Sequence, residues 1–238
     1  MTTFLVAHGA WSAGWAWKKM HARLPGTGDR LFTPTYTGLG ERVHLASPSI
    51  GLDTHVQDVL GVLEHEDLRD VLLIGHSYGG MVATAVADRA RDRIARLVYL
   101  DAFAPQDGQS LFDLLPAEVG ARMREDANAN GDGWRIAPNP TPADTAPEDL
   151  AWITPRRHPM PIRCFEAPLA LRHGPLTLPR SYIYCTRIAP GDVFGQFAAR
   201  ARREGWDFHA IDTSHSPNVS APDTLAKVLR AIAEGSGR

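Results

Sequence analysis

Cysteine is scarce: the 238-residue chain has two, Cys164 and Cys185. Two are too few for a disulfide framework, and their spacing is not that of a zinc site, so a reducing cytoplasm is the expected compartment. Charge of one sign is scarce as well. The chain sets 25 Lys and Arg against 27 Asp and Glu, a formal charge of −2, so no basic field points to nucleic acid or to an anionic membrane. No apolar run approaches the ~20 residues of a transmembrane helix, and residues 1–6 lack the basic start of a signal peptide. The ten histidines include no i, i+4 or H-x-H pair beside a carboxylate, and no nucleotide or flavin motif occurs. These absences leave a small-molecule substrate as the expected partner, with no cofactor, no metal, no nucleic acid and no membrane. A homodimer stays open.

What is present is an alternation of short apolar runs with helical patterns. Residues 4–7 (FLVA), 30–36, 71–74 (VLLI), 94–100, 181–185 and 206–211 read as strands. The run VLLI is apolar throughout, as a strand covered on both faces requires. Helical spacing occupies 11–24, 52–63, 81–91, 193–203 and 222–233. This order predicts an α/β fold with a doubly wound, mostly parallel sheet of about six strands. Residues 105–179 break the rhythm: ten of the 18 prolines lie between Pro138 and Pro179, and the helical stretches 111–115, 117–124 and 148–152 are short. Phe112, Trp134, Trp152 and Phe165 are not linker residues, so the segment reads as a packed, mainly helical insertion. The expected division is a core of 1–104 and 180–238 with 105–179 inserted.

The run Gly75-His76-Ser77-Tyr78-Gly79 fits the nucleophile-elbow pattern G-x-S-x-G, after an apolar strand and before a helix. Such a turn lifts a serine hydroxyl above the sheet at a helix N-terminus, and the glycines let neighbouring backbone approach. Ser77 is therefore the candidate nucleophile. It needs a base, and His215 is the best placed of the histidines, in a loop after the last strand and before the last helix. His76 should point away from the hydroxyl and serve packing or hydrogen bonding. The loop His8-Gly9-Ala10-Trp11 follows the first strand. In this layout the residue after the nucleophile, Tyr78, gives one oxyanion N–H and the first loop the other, here assigned to Ala10.

Several segments together resemble the α/β-hydrolase superfamily over nearly the whole chain. They are residues 6–11 with Trp15 and Trp17, the turn 36–42 (YTGLGER), the elbow 75–80, residues 97–105 (LVYLDAFAP) and residues 212–222. Within that superfamily the chain is similar to the small branch of plant methyl-ester esterases, hydroxynitrile lyases and bacterial carboxylesterases. The resemblance implies that the chain opens directly on the oxyanion strand and that 105–179 is a cap over the site. It implies a triad acid at about Ala189, where this sequence has none. Asp192 follows three residues later, at the start of a helix, where its ordinary role is an N-cap. Asp101 ends the strand after the elbow helix, where some members of this fold carry their acid. Asp101 is preferred and Asp192 kept as the alternative. The lyases of the branch carry a threonine after the first-loop histidine and a lysine after the catalytic one; here those positions are Gly9 and Ser216.

The function expected is a serine hydrolase that cleaves small, largely apolar carboxylic esters through an acyl-enzyme. Gly9, Trp11, Phe103, Trp134 and Trp152 are the candidate substrate contacts, and Arg156-Arg157 is a charged pair that could greet a carboxylate. A lyase, a C–C hydrolase or a biosynthetic cyclase using the same Ser/His pocket remains the alternative, as does a ligand receptor on the same fold.

Overall fold

Six parallel strands in the order β2-β1-β3-β4-β7-β8 form the central sheet. They are seen in a computed structural model in which residues 1–24, 26, 28–187 and 191–235 are described. In chain order the elements are β1 (Thr3–Ala7), α1 (Lys18–His21), β2 (Arg30–Phe32), α2 (Leu52–His65), β3 (Val71–His76), α3 (Gly79–Arg89) and β4 (Ile94–Leu100). Between β4 and the next sheet strand come α4 (Ala117–Asn130), β5 (Arg135–Ile136), α5 (Pro147–Ile153), β6 (Met160–Pro161) and α6 (Arg163–Glu166). The chain then returns through β7 (Arg180–Cys185), α7 (Gly195–Arg203), β8 (Asp207–Ile211), α8 (Pro217–Ser220) and α9 (Pro222–Gly235). The two-stranded antiparallel pair β5-β6 stands apart from the main sheet.

Alternation along each strand divides the core into two. Leu5, Ala7, Leu73, Leu97 and Tyr99 face one side, where they pack with Val56, Val59 and Leu63 of α2 and with Met81, Val82 and Val86 of α3. Phe4, Val6, Leu72, Ile74, Val98 and Leu100 face the other side, against Trp17, Met20 and the α9 residues Leu225, Leu229 and Ile232. A sheet buried on both faces needs apolar residues at every position, which is why 71–74 carries no polar residue. The chain runs outward from β1 to β2 and then returns to β3 on the other side of β1. The loops after β1 and β3 therefore diverge at their C-terminal ends, and such a crevice is where ligands of open α/β sheets bind.

Two expected elements are shorter than the sequence pattern suggests. Residues 11–24 do not form one helix. A 3-10 turn (Gly14–Trp17) leads into the single turn of α1, because 11–13 bend over the strand ends; a Cβ on Gly14 would stand 2.1 Å from the Thr33 carbonyl oxygen. The strand expected over 30–36 stops at Phe32, two residues before Pro34, which has no amide to give to a ladder. In the intervening segment the expected helix 117–124 runs on to Asn130.

Because α9 seals one face of the sheet through fully buried Leu229, Leu229→Ala should lower the unfolding free energy by ~2–5 kcal/mol. Urea denaturation checks this: the midpoint should fall while the slope stays unchanged.

Candidate active site

Ser77 stands at the end of β3 with φ +55°, a left-handed conformation unusual for a residue with a side chain. Packing imposes it. The first turn of α3 is pressed between two strand ends: a Cβ on Gly79 would lie 1.9 Å from the Ala7 carbonyl oxygen, and one on Gly80 2.0 Å from that of Phe103. With no room to relax, the chain must turn sharply at 77. Hydrogen bonds brace the turn, from Ser77 N–H to the Leu100 carbonyl (3.3 Å) and from the Gly80 and Phe103 amides to the Ser77 carbonyl (3.0 and 3.2 Å).

Asp101 also has a positive φ, +41°, and ends β4. Its buried carboxylate reaches His215, with Oδ2 2.7 Å from Nδ1, and its Oδ1 accepts from the Cys185 amide at 3.2 Å. The other candidate acid is engaged elsewhere. Asp192 accepts from the Phe194 and Gly195 amides and from Tyr184 Oη, which is the capping role expected of it. Ala189, where the resemblance looked for a carboxylate, lies outside the described residues. His215 is held at three points. Asp101 takes Nδ1, the Phe194 ring stacks on the imidazole at 4.8 Å, and His76 Nε2–H donates to the His215 carbonyl at 2.8 Å. No hydrogen bond joins Ser77 Oγ to His215 in this structure. The His76 ring, next to Ser77 in the chain, lies 4.9 Å from the His215 ring, and such contacts often tighten only with substrate in place.

The backbone N–H groups of Ala10 and Tyr78 find no acceptor among the described residues. Gly9 runs alongside the elbow, where a Cβ would stand 3.2 Å from both Ser77 Cβ and His76 Nδ1. Behind this loop lies a buried column of rings. His8 stacks on Tyr36 (3.8 Å), Tyr36 stacks on His55 (4.6 Å), and His55 meets Tyr78 edge-on (5.8 Å). Hydrogen bonds assign the tautomers. Tyr36 N–H donates to His8 Nε2 (3.2 Å), so His8 carries its proton on Nδ1 and donates to the Gly9 carbonyl (2.9 Å). His55 Nε2–H donates to the Thr37 carbonyl (3.2 Å), leaving Nδ1 to accept from Tyr78 Oη at 2.9 Å. Burial pushes the His8, His55 and His76 imidazoles each down to about 3, and the neighbouring His215 adds to the effect on His76. All three are neutral at physiological pH.

Comparison with known proteins places this geometry. The family described as "Alpha/beta hydrolase family" matches residues 4–228. The chain belongs to that family. It is 39% identical to the "Carbendazim hydrolyzing esterase" of Nocardioides sp. (strain SG-4G), over 98% of this chain and 100% of that one. It is 26% identical to "pFDCC methylesterase MES16" of Arabidopsis thaliana, over 96% of this chain and 94% of that one. Among solved structures it resembles an extracellular alpha/beta-hydrolase from a Paenibacillus species, described as sharing structural and functional homology with Tobacco Salicylic Acid Binding Protein 2. The TM-score is 0.79 and the identity 27%, covering 97% of this chain and 98% of that one. The protein is thus a hydrolase, similar to methylesterases and bacterial esterases.

In this α/β-hydrolase the remaining sequence candidates fall into two groups. Trp11 (φ +57°) leaves the loop after β1 for the intervening segment, donating Nε1–H to the Ile136 carbonyl (2.9 Å) with its ring 5.7 Å from that of Phe165. Phe103 packs edge-on against Phe194 and Phe197 (5.1 and 5.8 Å). Both therefore neighbour the elbow. Trp134 and Trp152 are not brought to it. The Trp134 ring lies under the Arg135 guanidinium (4.1 Å), and Trp152 meets Trp15 edge-on at 5.5 Å. Phe165, stacked on Tyr78 at 5.9 Å, and Phe194, over His215, are the residues that sequence reasoning missed, while Phe112, beside Phe165 at 5.8 Å, is one of the insertion residues whose pattern suggests an apolar roof. Phe112 and Phe165 were visible as insertion aromatics, but nothing in their local pattern ranked them above the tryptophans. Of the arginine pair, Arg156 is exposed and Arg157 is half-buried, bonded to Asn139 (2.6 Å to Oδ1) and 5.9 Å above the Trp11 ring. A cavity of about 470 Å³ lies under the 104–107 and 171–176 segments against α3 and α7, and its lining includes neither the elbow nor His215. Among the described residues no helix is long and apolar enough to cross a membrane.

The three neutral histidines couple folding to pH. In the unfolded chain each titrates near 6.5, and in the folded chain near 3. Between those values the unfolded state binds more protons, so stability is full above about 6.5 and falls as the pH drops. The slope per histidine is up to about 1.4 kcal/mol per pH unit. Urea midpoints measured at pH 7.5 and pH 5 should show the lower pH to be clearly less stable.

Proposed function

We propose that this protein hydrolyses small, largely apolar esters, methyl esters on a flat aromatic body among them, through an acyl-enzyme on Ser77. The observation that carries the reading is the 2.7 Å contact of Asp101 with His215 Nδ1 at the strand ends beside the elbow. It orients the imidazole so that Nε2 is its free edge. Ser77 Oγ attacks the acyl carbon while its proton passes to His215 Nε2. The oxyanion accepts hydrogen bonds from the Ala10 and Tyr78 amides, aided by the N-terminal dipole of α3. The tetrahedral adduct then collapses, and the leaving alkoxide takes the proton from His215. Water gives a proton to Nε2 and attacks the acyl carbon, and the second collapse returns the proton to Ser77 as the acid departs. Asp101 stays ionised throughout.

An apolar substrate is supported by the aromatic surround: Trp11, Phe112 and Phe165 on the oxyanion side, Phe103 and Phe194 on the histidine side. A flat body is supported further by the relative named for carbendazim hydrolysis. Residues 105–179 act as the cap that supplies Phe112 and Phe165.

An organophosphonate should label Ser77 stoichiometrically, and Ser77→Ala should abolish labelling and lower kcat by roughly 10⁴–10⁶. Labelling that persists in the variant would overturn the reading. Asp101→Asn should lower kcat by roughly 10²–10⁴, because the imidazole loses its orienting acceptor. Asp192→Asn should lose only about 1 kcal/mol of cap stability. Steady-state kinetics on both variants, with circular dichroism as the folding control, rank the two carboxylates. A panel of methyl esters with graded aromatic and aliphatic acyl groups, carbendazim included, tests the substrate class.

A further inference from the structure

We infer that the cavity of about 470 Å³ beside α7 is a second ligand site, suited to a planar organic carboxylate, and that its occupancy is felt at His215. The lining contains neither Ser77 nor His215, so the site is separate from the elbow. Under the function proposed above, the acid released from an aromatic ester is itself a ligand of this class.

The walls of the cavity are fixed by the fold. Helices α3 and α7 cover the same face of the sheet, and residues 171–176 roof the gap between them. That roof is fastened to α3. The fully buried Asp88 accepts from the Arg172 and His173 amides, and Arg91 donates to the Gly174 carbonyl at 2.6 Å. Leu171 and Leu176 supply apolar surface, while Tyr99 and Trp206, stacked at 5.5 Å, line the cavity from the sheet. A volume of this size is ordinary for a small-molecule site.

Charge in the lining is unbalanced. The guanidiniums of Arg180 and Arg200 lie over the same Trp206 ring, at 4.3 and 5.4 Å. One carboxylate serves both. Glu204 accepts from Arg200 Nε (2.7 Å) and Trp206 Nε1 (3.2 Å) and lies 3.9 Å from Arg180. The Arg200 hydrogen bond holds Glu204 below the usual carboxylate range, so it is ionised. Asp107, the other acid of the lining, accepts from the Leu171 amide (2.8 Å) and forms no ion pair with either arginine among the described residues. Two partly buried cations on one ring, sharing one anion, leave a surplus positive charge that a second anion relieves. Guanidinium donors lie in a plane and match a carboxylate, while the indole and the leucines match a flat apolar body.

Two links join this site to the catalytic histidine. Arg200 Nη1 donates to the Ala104 carbonyl at 3.1 Å, on the run that starts at Asp101 and whose Phe103 amide bonds the Ser77 carbonyl. The same helix starts next to Phe194, whose ring stacks on His215 at 4.8 Å. A carboxylate that takes up Arg200 competes with the Ala104 carbonyl for its donors, and turnover falls as the Asp101 segment loosens.

Naphthoate is the probe, with naphthamide as its uncharged control. In nitrogen-15 NMR the Trp206 indole N–H, assigned with Trp206→Phe, should shift as naphthoate is added and move little with naphthamide. Arg180→Gln and Arg200→Gln should each weaken calorimetric binding of naphthoate by roughly tenfold or more, with circular dichroism as the folding control. Glu204→Gln removes the competing anion and should tighten binding several-fold, a gain that no misfolded variant gives. In steady-state kinetics naphthoate should lower kcat by about twofold or more with KM little changed, and Arg180→Gln should relieve the effect. A Trp206 signal that stays still up to about 10 mM naphthoate would overturn the site. So would equal binding of the amide, or arginine variants that bind like the parent. Inhibition that added substrate abolishes would place naphthoate at the elbow and overturn the coupling. Binding is read without turnover, so loss of Ser77 as the nucleophile would leave this site standing, and failure here would leave Ser77 untouched.

Discussion

The arrangement depends on one steric constraint: the first turn of α3 has no clearance from the backbone at the ends of β1 and β4. Gly79 lies against the Ala7 carbonyl and Gly80 against that of Phe103. Those two approaches fix α3 relative to the loops that leave both strands. From this follow the left-handed Ser77 and the position of Gly9 beside it. The three non-glycine residues with positive φ at the ends of β1, β3 and β4, namely Trp11, Ser77 and Asp101, all lie on this one rim. Strain of this kind persists only where surrounding packing over-determines it. Here the two apolar layers on either side of the sheet do so.

Apart from the Asp101 carboxylate on His215, the polar groups at the rim are held by neutral rings. His8 holds the Gly9 carbonyl, His55 holds the Tyr78 hydroxyl, and His76 holds the carbonyl of His215. A buried neutral imidazole adds direction without a field. Asp101 apart, charge is kept at the edge of this network. Asp58 accepts from the amide and hydroxyl of Thr37 and from Arg42, and so organises the turn 37–42 without touching the elbow.

The sheet and the meeting of Asp101 with His215 beside the elbow were legible from sequence because their signals are local. An apolar strand followed by G-x-S-x-G-G leaves few folds open, and Asp101 announces itself as an acid in an apolar surround at a strand end. Other features were opaque for a stated physical reason. The turn 37–42 owes its shape to Asp58 on α2, which no local pattern connects to it. The helix expected over 11–24 gave way to the path of the loop over the strand ends, a tertiary demand that overrides helical spacing. In the proline-rich insertion, Trp134 and Trp152 were as plausible as Phe112 and Phe165, since short helices give no periodicity from which to read a facing side. Packing chose the phenylalanines.

That division carries a consequence for how the site can vary. The groups proposed to do chemistry come from the ends of β1, β3 and β4 and from the loop after β8, and they are locked by close backbone contacts. Of the aromatic groups around them, Phe112 and Phe165 come from the 105–179 segment and Phe194 from the start of α7. That segment is tied to the rest of the chain by polar contacts that include Trp11 Nε1–H to the Ile136 carbonyl, Lys19 Nζ to Asp149 and the Arg172 and His173 amides to Asp88. A change at Phe112, Phe165 or Phe194 alters the aromatic packing beside the elbow while leaving the hydrogen bonds of Ser77 and Asp101 in place. A change at His8, Gly9, Gly79 or Gly80 does the reverse. The hydrogen-bonded rim and its aromatic surround therefore sit on different parts of the chain, joined physically at Trp11, whose backbone belongs to the loop after β1 and whose ring meets Ile136 and Phe165 of the insertion.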